Sequence, residues 1–335
     1  MGKAHQTAQS LLEPGTGILV ADEYVDTLIE RLMPADRTGE WPSAGRYVDL
    51  VLGAPGLETW ISSILLTGDT FTGLKPSRLL RRHSESVQPM AFGVRMDAGR
   101  TRVVAGGGPM EGLDDVRRDL ADQHAAGAVF AEWRANLSPL DVAKGDAHID
   151  AEALARGAAV SQSQDVLPLV TIAMPDLASH SAAVTQAVTG NALAELFTQM
   201  QRFEVDTSAL LLRVNMVVAG DPGSQQTTSD DVAHATLKVI SNNVPTDVPG
   251  IAFLSGGQTI DTACANLSAI TTLNRASQAP WRLTFAFTRA LVTSSLEVWQ
   301  GDSANGAAAQ RELLQSCRQA GQAVSSSPEA PSSSG

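Results

Sequence analysis

The sequence is poor in lysine and aromatic residues, and it contains no long apolar run. Only four of the 24 basic residues in this 335-residue chain are lysines. Aromatic residues make up 4% of the sequence, so the predicted core must consist mostly of Ala, Val, Leu and Ile. No apolar stretch reaches the roughly 20 residues that a transmembrane helix needs, so we expect no membrane partner.

The cysteine content and the charge limit the compartment and the partners. Cys264 and Cys317 are the only cysteines, which excludes a disulfide framework and indicates a reducing compartment. Residues 1–13 are polar and lack the apolar core of a signal peptide. The formal net charge of −12 would repel nucleic acid. The six histidines form no pair at helical spacing, so a metal site is not expected. We therefore expect a cytoplasmic protein without a metal or other cofactor.

Short apolar runs alternate with amphipathic segments along most of the chain. Apolar strands separated by helices are typical of a parallel sheet covered by helices, and eight such units predict an α/β fold, a single (β/α)8 TIM barrel. We assign residues 1–324 to this barrel, with a final helix at 303–324, and predict a disordered Ser/Pro-rich tail at 325–335. The eight predicted strands are 17–21, 62–67, 91–95, 128–133, 167–171, 209–213, 250–254 and 283–286. Amphipathic helices are predicted at 113–126, 151–163, 191–203, 229–243 and 258–273, with Ser229 as an N-cap.

Several separated motifs occur in an order that resembles one enzyme family. Residues 210–216, Leu-Leu-Leu-Arg-Val-Asn-Met, resemble the strand that carries the Schiff-base lysine of the class I fructose-bisphosphate aldolases. The resemblance covers about residues 12–323 and implies a barrel-shaped lyase related to glycolysis. It also implies a homo-oligomer, since the family is commonly tetrameric. The other motifs are GTGILVADE at 15–23, APGLE at 54–58, FAEWR at 130–134, FLSGGQ at 253–258 and PWRLTF at 280–285.

The residues that the resemblance implies for catalysis are replaced in this chain. Arg213 stands at the position of the imine-forming lysine, and a guanidinium that stays protonated cannot form a productive imine. Glu132 and Arg95 replace lysines of the fourth and third strands. Thr171 and Ala173 stand where the family has glutamates, including its proton-transfer acid. We therefore expect that the parent reaction is lost and that the chain is a pseudoenzyme or a repurposed enzyme.

Lys144 is the one lysine that could replace the missing amine. It lies in a predicted loop after a strand, at the face where barrel enzymes place their active sites. Its neighbours are polar, so desolvation would not lower the pKa of the amine. Imine chemistry on Lys144 is therefore disfavoured, although the sequence leaves it open.

Ser255, Gly256 and Gly257 are expected to bind an anion. They follow the seventh predicted strand and precede a helix predicted to begin near Gln258, so their backbone N–H groups can converge on an anion. Arg289, just after the eighth strand, is the expected charged partner. In aldolases the corresponding groups hold a substrate phosphate. The alternative is that the glycines only permit a tight strand-to-helix turn.

Acidic and basic side chains are expected together inside the barrel. Glu132 and Arg213 should point inward from the fourth and sixth strands, with Asp22 and Arg95 nearby and Arg134 as a further substrate contact. One interpretation is an ion-pair network that fills an active site which has lost its activity, because pairing offsets much of the cost of burying a carboxylate. The other makes Glu132 and Asp22 acid–base groups and Arg213 a clamp for a carboxylate or phosphate.

Three functional hypotheses follow. The first is a divergent aldolase homologue that binds a phosphorylated or carboxylated metabolite without Schiff-base chemistry. The second is a lyase or isomerase that uses Glu132 and Asp22. The third is a non-catalytic partner that assembles with an active relative, and the family resemblance also leaves open an active aldolase-type lyase.

Overall fold

Eight parallel strands form a closed barrel in the computed structural model of the chain, which confirms the (β/α)8 prediction. Each strand pairs with the next one along the chain, and β8 closes the barrel against β1. The strands are β1 Gly17–Ala21, β2 Ile61–Thr67, β3 Ala91–Arg95, β4 Phe130–Asn136, β5 Leu167–Ala173, β6 Leu211–Asn215, β7 Gly250–Leu254 and β8 Arg282–Phe287. The structure describes residues 2–21, 44–74, 81–83, 85, 89–96, 113–137, 149–174, 180–220 and 228–325.

Helices surround the barrel, and among the described residues three short 3-10 helices connect elements at 57–59, 207–209 and 303–305. Within the described ranges, no helix is long and apolar enough to cross a membrane. The predicted tail lies outside the described residues beyond Ser325. The described helices are α1 Lys3–Leu11, α2 Ala44–Leu52, α3 Gly68–Leu74, α4 Leu113–Ala125, α5 Ala151–Gln162, α6 Ala182–Arg202, α7 Ser229–Asn243, α8 Ile260–Ala276, α9 Arg289–Trp299 and α10 Gly306–Val324.

Side chains along each strand alternate between the barrel interior and the helix layer. On β5, Leu167 and Leu169 belong to the interior cluster, whereas Val170 and Ile172 pack with the surrounding helices. Every residue of β5 is buried because both faces of the strand are covered. This alternation places Thr171 on the interior face, in line with the two leucines.

Helix α1 closes the amino-terminal end of the barrel. Ala4, Ala8 and Leu11 are buried in the same apolar cluster as the barrel interior. Gly250, at the start of β7, allows this close packing, because a Cβ there would lie 2.5 Å from the side chain of Leu12. The opposite, carboxyl-terminal end of the strands is called the mouth below.

Two helix starts differ from their predicted positions. Helix α6 begins at Ala182, well before the predicted start at residue 191. The segment that was missed contains β-branched residues and a glycine, which have low helix propensity, but burial of Thr185 and Val188 against the protein overrides that preference. The N-cap of α7 is Thr228 rather than the predicted Ser229, and its side chain forms a capping box with Asp231.

Both cysteines are buried free thiols. Burial raises the pKa of Cys264, on α8, to about 12, and the carboxylate of Asp261 adds to the effect. Burial also raises the pKa of Cys317, on α10, far above its ordinary value. Because the thiolate is the reactive form, neither residue is a nucleophile at neutral pH.

Candidate functional site

The carboxylate of Glu132 is the centre of a buried polar cluster at the mouth. Glu132 extends inward from β4 and has 0% of its surface exposed. Its Oε1 atom accepts hydrogen bonds from Arg213 Nη1 at 2.6 Å and from Thr171 Oγ1 at 2.7 Å. Arg134 Nη2 donates to the same oxygen at 3.2 Å. The structure therefore brings together three neighbouring strands, β4, β5 and β6, around one carboxylate oxygen.

The charged neighbours keep the Glu132 carboxyl ionised although it is fully buried. Burial by itself raises the pKa of this carboxyl. The guanidinium groups of Arg134 and Arg213 outweigh that effect, with smaller contributions from the Thr171 hydroxyl and from Arg95, and together they lower the pKa from 4.5 to about 2. The cluster therefore contains a carboxylate, not a carboxylic acid, at neutral pH.

Arg213 spans the barrel interior from β6 to β8. Its Nη2 donates to the backbone carbonyl of Ala286 at 3.1 Å, and the side chain has 2% of its surface exposed. The strand between them, β7, places Ala252 beside Arg213 in the strand register. Because Ala252 has only a methyl side chain, the guanidinium can pass to β8. Arg213 is thus held by a carboxylate on one side and by a backbone carbonyl on the other.

The second oxygen of Glu132 is left unsatisfied. Oε2 is buried, and it accepts no hydrogen bond from any residue that the structure describes. A buried acceptor without a donor costs about 1–3 kcal/mol, and more when it is charged. The cluster is therefore complete on the side that faces Arg213 and incomplete on the other side.

The loop after β7 presents two backbone N–H groups at the mouth. Gly256 and Gly257 adopt left-handed backbone conformations with φ of 57° and 79°. Within the described part of the chain their N–H groups have no acceptor. Gln258 fixes the loop, because both its backbone N–H and its side-chain amide donate to the carbonyl of Ser255. A Cβ at Gly256 would lie 2.8 Å from the side-chain nitrogen of Asn215, so this position requires glycine.

The helix that follows this loop begins slightly later than predicted. Helix α8 begins at Ile260 with Thr259 as its N-cap, rather than near Gln258. Arg289 is the first residue of α9, after β8. Since β7 and β8 are paired neighbours, the glycine loop and Arg289 lie on adjacent segments of the same rim.

Asp22 and Lys144 both lie outside the described residues. The two lysines within the described ranges are Lys3, exposed on α1 at the closed end, and Lys238, exposed on α7. Neither extends into the barrel.

A family model described as fructose-bisphosphate aldolase class-I matches residues 3–334. The chain belongs to the class I fructose-bisphosphate aldolase family. It is 35% identical over 321 residues to a fructose-bisphosphate aldolase of Plasmodium falciparum, covering 92% of this chain and 85% of that protein. It is 32% identical over 319 residues to fructose-bisphosphate aldolase 2 of Caenorhabditis elegans, with the same coverage of 92% and 85%.

The fold also agrees with a solved aldolase structure. A crystal structure of the Plasmodium falciparum fructose-bisphosphate aldolase, in a ternary complex with TRAP and a small-molecule inhibitor, superposes with a TM-score of 0.81 at 31% identity. The match covers 96% of this chain and 94% of that chain. The aldolase-family barrel therefore accounts for nearly the whole sequence.

Sequence reasoning missed the roles of three polar residues in this aldolase-family site. Thr171 was treated only as the replacement of a glutamate, but its hydroxyl donates to Glu132. Asn215 accepts a hydrogen bond from the backbone N–H of Met174 and so links the ends of β5 and β6. The amide of Gln258 fixes the glycine loop. Strand alternation could have placed Thr171 inside the barrel, whereas the loop contacts of Asn215 and Gln258 carry no such periodic signal.

Proposed function

We propose that this aldolase-family chain binds a phosphorylated or carboxylated metabolite at the mouth and does not perform Schiff-base aldol chemistry. The observation that carries the proposal is the 2.6 Å contact between Arg213 and Glu132. A guanidinium stays protonated at any physiological pH, and here it is buried and bonded to a carboxylate. It therefore offers no free electron pair with which to attack a carbonyl carbon.

Local positive charge supports an anionic ligand even though the net charge of the chain is −12. Arg95, Arg134 and Arg213 all act electrostatically on the buried carboxylate at the mouth. The N–H groups of Gly256 and Gly257 add further donors on the same rim. Convergent N–H groups and guanidinium groups are the donors that recognise phosphate. The relatives are named for fructose-bisphosphate, a phosphorylated sugar, which agrees with this chemistry.

The acid–base alternative is less well supported. A general base works best when its pKa lies near the working pH. The pKa of Glu132 is lowered to about 2, and its Oε1 is already occupied by Arg213, Arg134 and Thr171. This arrangement favours the ion-pair network over proton transfer by Glu132. Arg213 and Glu132 lie within salt-bridge distance, as that network requires.

Borohydride trapping tests the loss of imine chemistry. The purified chain is incubated with dihydroxyacetone phosphate and sodium borohydride, and its intact mass is measured. The Plasmodium falciparum aldolase serves as the positive control. We expect no adduct on this chain, since Arg213 cannot form an imine and neither lysine within the described residues extends into the barrel. A stable adduct, mapped to any lysine, would overturn this part of the proposal.

A thermal-shift series tests anion binding. Inorganic phosphate and a set of sugar phosphates are expected to raise the melting temperature of the wild-type chain, and Arg289→Ala is expected to reduce the effect. Arg282→Ala is the matched control, because Arg282 is an exposed arginine at the start of β8, whereas Arg289 follows the end of that strand. Equal losses in both variants would show that only the overall charge matters. No shift with any anion would refute the binding site and favour the assembly role.

A further inference from the structure

We propose that the ligand presents a hydroxyl group, rather than a ketone, to Oε2 of Glu132. The inference rests on the proposed function, because it describes which ligand the same mouth would select. It starts from the contrast between the two oxygens of one buried carboxylate. Oε1 accepts from three side chains, whereas Oε2 accepts from none within the described residues.

The direction of the contacts identifies the incomplete side. The donors to Oε1 come from β4, β5 and β6. The two oxygens of a carboxylate diverge by roughly 120°, and ionised Glu132 accepts at both of them. Oε2 therefore faces away from Arg213, and it needs a donor that the described protein does not provide.

The charge around Glu132 restricts the donor to a neutral group. A ketone oxygen only accepts hydrogen bonds, so it would be repelled by Oε2. An ammonium group would meet the guanidinium groups of Arg95, Arg134 and Arg213, which act on the same carboxylate. A hydroxyl group donates a proton to Oε2 and carries no charge. A phosphorylated polyol thus combines a phosphate, which the donors at the mouth can bind, with a hydroxyl group that can donate to Oε2.

A ligand can reach this position past Arg134. Arg134 lies two residues further toward the mouth on β4, and its side chain is 13% exposed. Arg213 is 2% exposed and Thr171 is fully buried. Arg134 is the most exposed donor of the cluster, so it is the side chain that we expect to move when a ligand reaches Oε2.

Three probes that differ at one carbon test the inference. Propane-1,2-diol 1-phosphate has a hydroxyl at its central carbon, hydroxyacetone phosphate has a ketone there, and propyl phosphate has neither; none of the three carries a further hydroxyl group. Isothermal titration calorimetry on the wild-type chain is expected to show the first probe binding on the order of tenfold or more tightly than the other two, as one hydrogen bond to a charged acceptor provides.

A single variant is expected to change that preference. In Glu132→Gln, the amide oxygen can still accept from Arg213, and the –NH2 group occupies the place of Oε2. A donor now faces the central carbon, so the difference in affinity between propane-1,2-diol 1-phosphate and hydroxyacetone phosphate should disappear or reverse. Thr171→Val, which removes a donor only from Oε1, should leave the order of the three probes unchanged.

The outcomes separate this inference from the proposed function. Similar affinities for all three probes, with binding still sensitive to Arg289→Ala, would overturn the hydroxyl preference while the phosphate site stands. Failure of all three probes and of inorganic phosphate to bind would refute the proposed function itself. An unchanged preference in Glu132→Gln would also overturn the role given to Oε2.

Discussion

The buried ion pair between Glu132 and Arg213 should contribute measurably to stability, and a double-mutant cycle can test it. The cycle uses Glu132→Met, Arg213→Met and the combined variant. Arg213→Met leaves a buried carboxylate that keeps only Arg134 and Thr171 as donors. Lowering the carboxyl pKa from 4.5 to about 2 corresponds to roughly 3 kcal/mol at about 1.4 kcal/mol per pKa unit. This energy is the net effect of burial and of all the groups near Glu132. Removing one partner of a buried ion pair costs about 3–5 kcal/mol.

We therefore expect each single variant to lose about 3 kcal/mol and the double variant to lose much less than the sum. The coupling energy should be about 2–3 kcal/mol, because removing both charges leaves neither one buried alone. Unfolding in urea, followed by fluorescence and circular dichroism together, measures each free energy of unfolding. Agreement between the two signals is needed for two-state analysis.

Arg156 and Glu152 form a matched control pair. They lie one turn apart on α5 with the same N···O distance of 2.6 Å, but their side chains are 37% and 54% exposed. The same methionine substitutions there should give a coupling energy of only about 0.3–0.5 kcal/mol, because water screens the charges. If the buried pair couples no more strongly than this exposed pair, the reasoning that Arg213 is held by Glu132 is refuted.

Further predictions concern acid stability, imine formation and packing. The free energy of unfolding should fall as the pH drops from about 4.5 toward 2, because the lowered pKa of Glu132 stabilises the fold above that range; Glu132→Gln should flatten this part of a urea-stability profile. Arg213→Lys alone should form no borohydride-trappable imine, because the Glu132 carboxylate keeps the new amine protonated, whereas Glu132→Lys combined with Arg213→Lys should form one that mass spectrometry detects. Gly157→Ala should lower the free energy of unfolding by about 1–3 kcal/mol, because the new Cβ would lie 2.3 Å from the ring of Trp133. Gly73→Ala, which meets nothing within 4 Å, should cost nothing in the same assay.

The barrel could be predicted because its strands are apolar runs of characteristic length. The bounds of β1, β3 and β7 agree with the sequence-based ranges. The end of β5 was predicted too early, although the residues that were left out, Ile172 and Ala173, are apolar. The end of β4 was also predicted too early, because polar residues such as Arg134 and Asn136 are not typical of strands. They extend β4 because they pair with Thr171 and Ala173 on β5, and this pairing cannot be read from one segment alone.

Part of the site could be predicted from strand alternation. Inward positions for Glu132 and Arg213 follow from the period of two, as does the outward position of Trp133, whose indole N–H donates to Ser161 on α5. Arg213, Arg134 and Thr171 all donate to the same oxygen of Glu132, and this depends on side-chain rotamers. The contact of Arg213 with the carbonyl of Ala286 depends on closure of the barrel. Neither leaves a pattern in the sequence.

The two buried cysteines make this chain convenient for labelling experiments in its native state. Cys264 and Cys317 are both buried, and both thiols have raised pKa values, so maleimide reagents should leave the folded wild-type chain unmodified. A single cysteine introduced at Thr288, on the rim beside Arg289, would then be the selective attachment point for a fluorophore. The fluorescence of such a probe would follow the binding of a ligand at the mouth in real time, even when the ligand does not absorb ultraviolet light, and without a coupled enzyme assay.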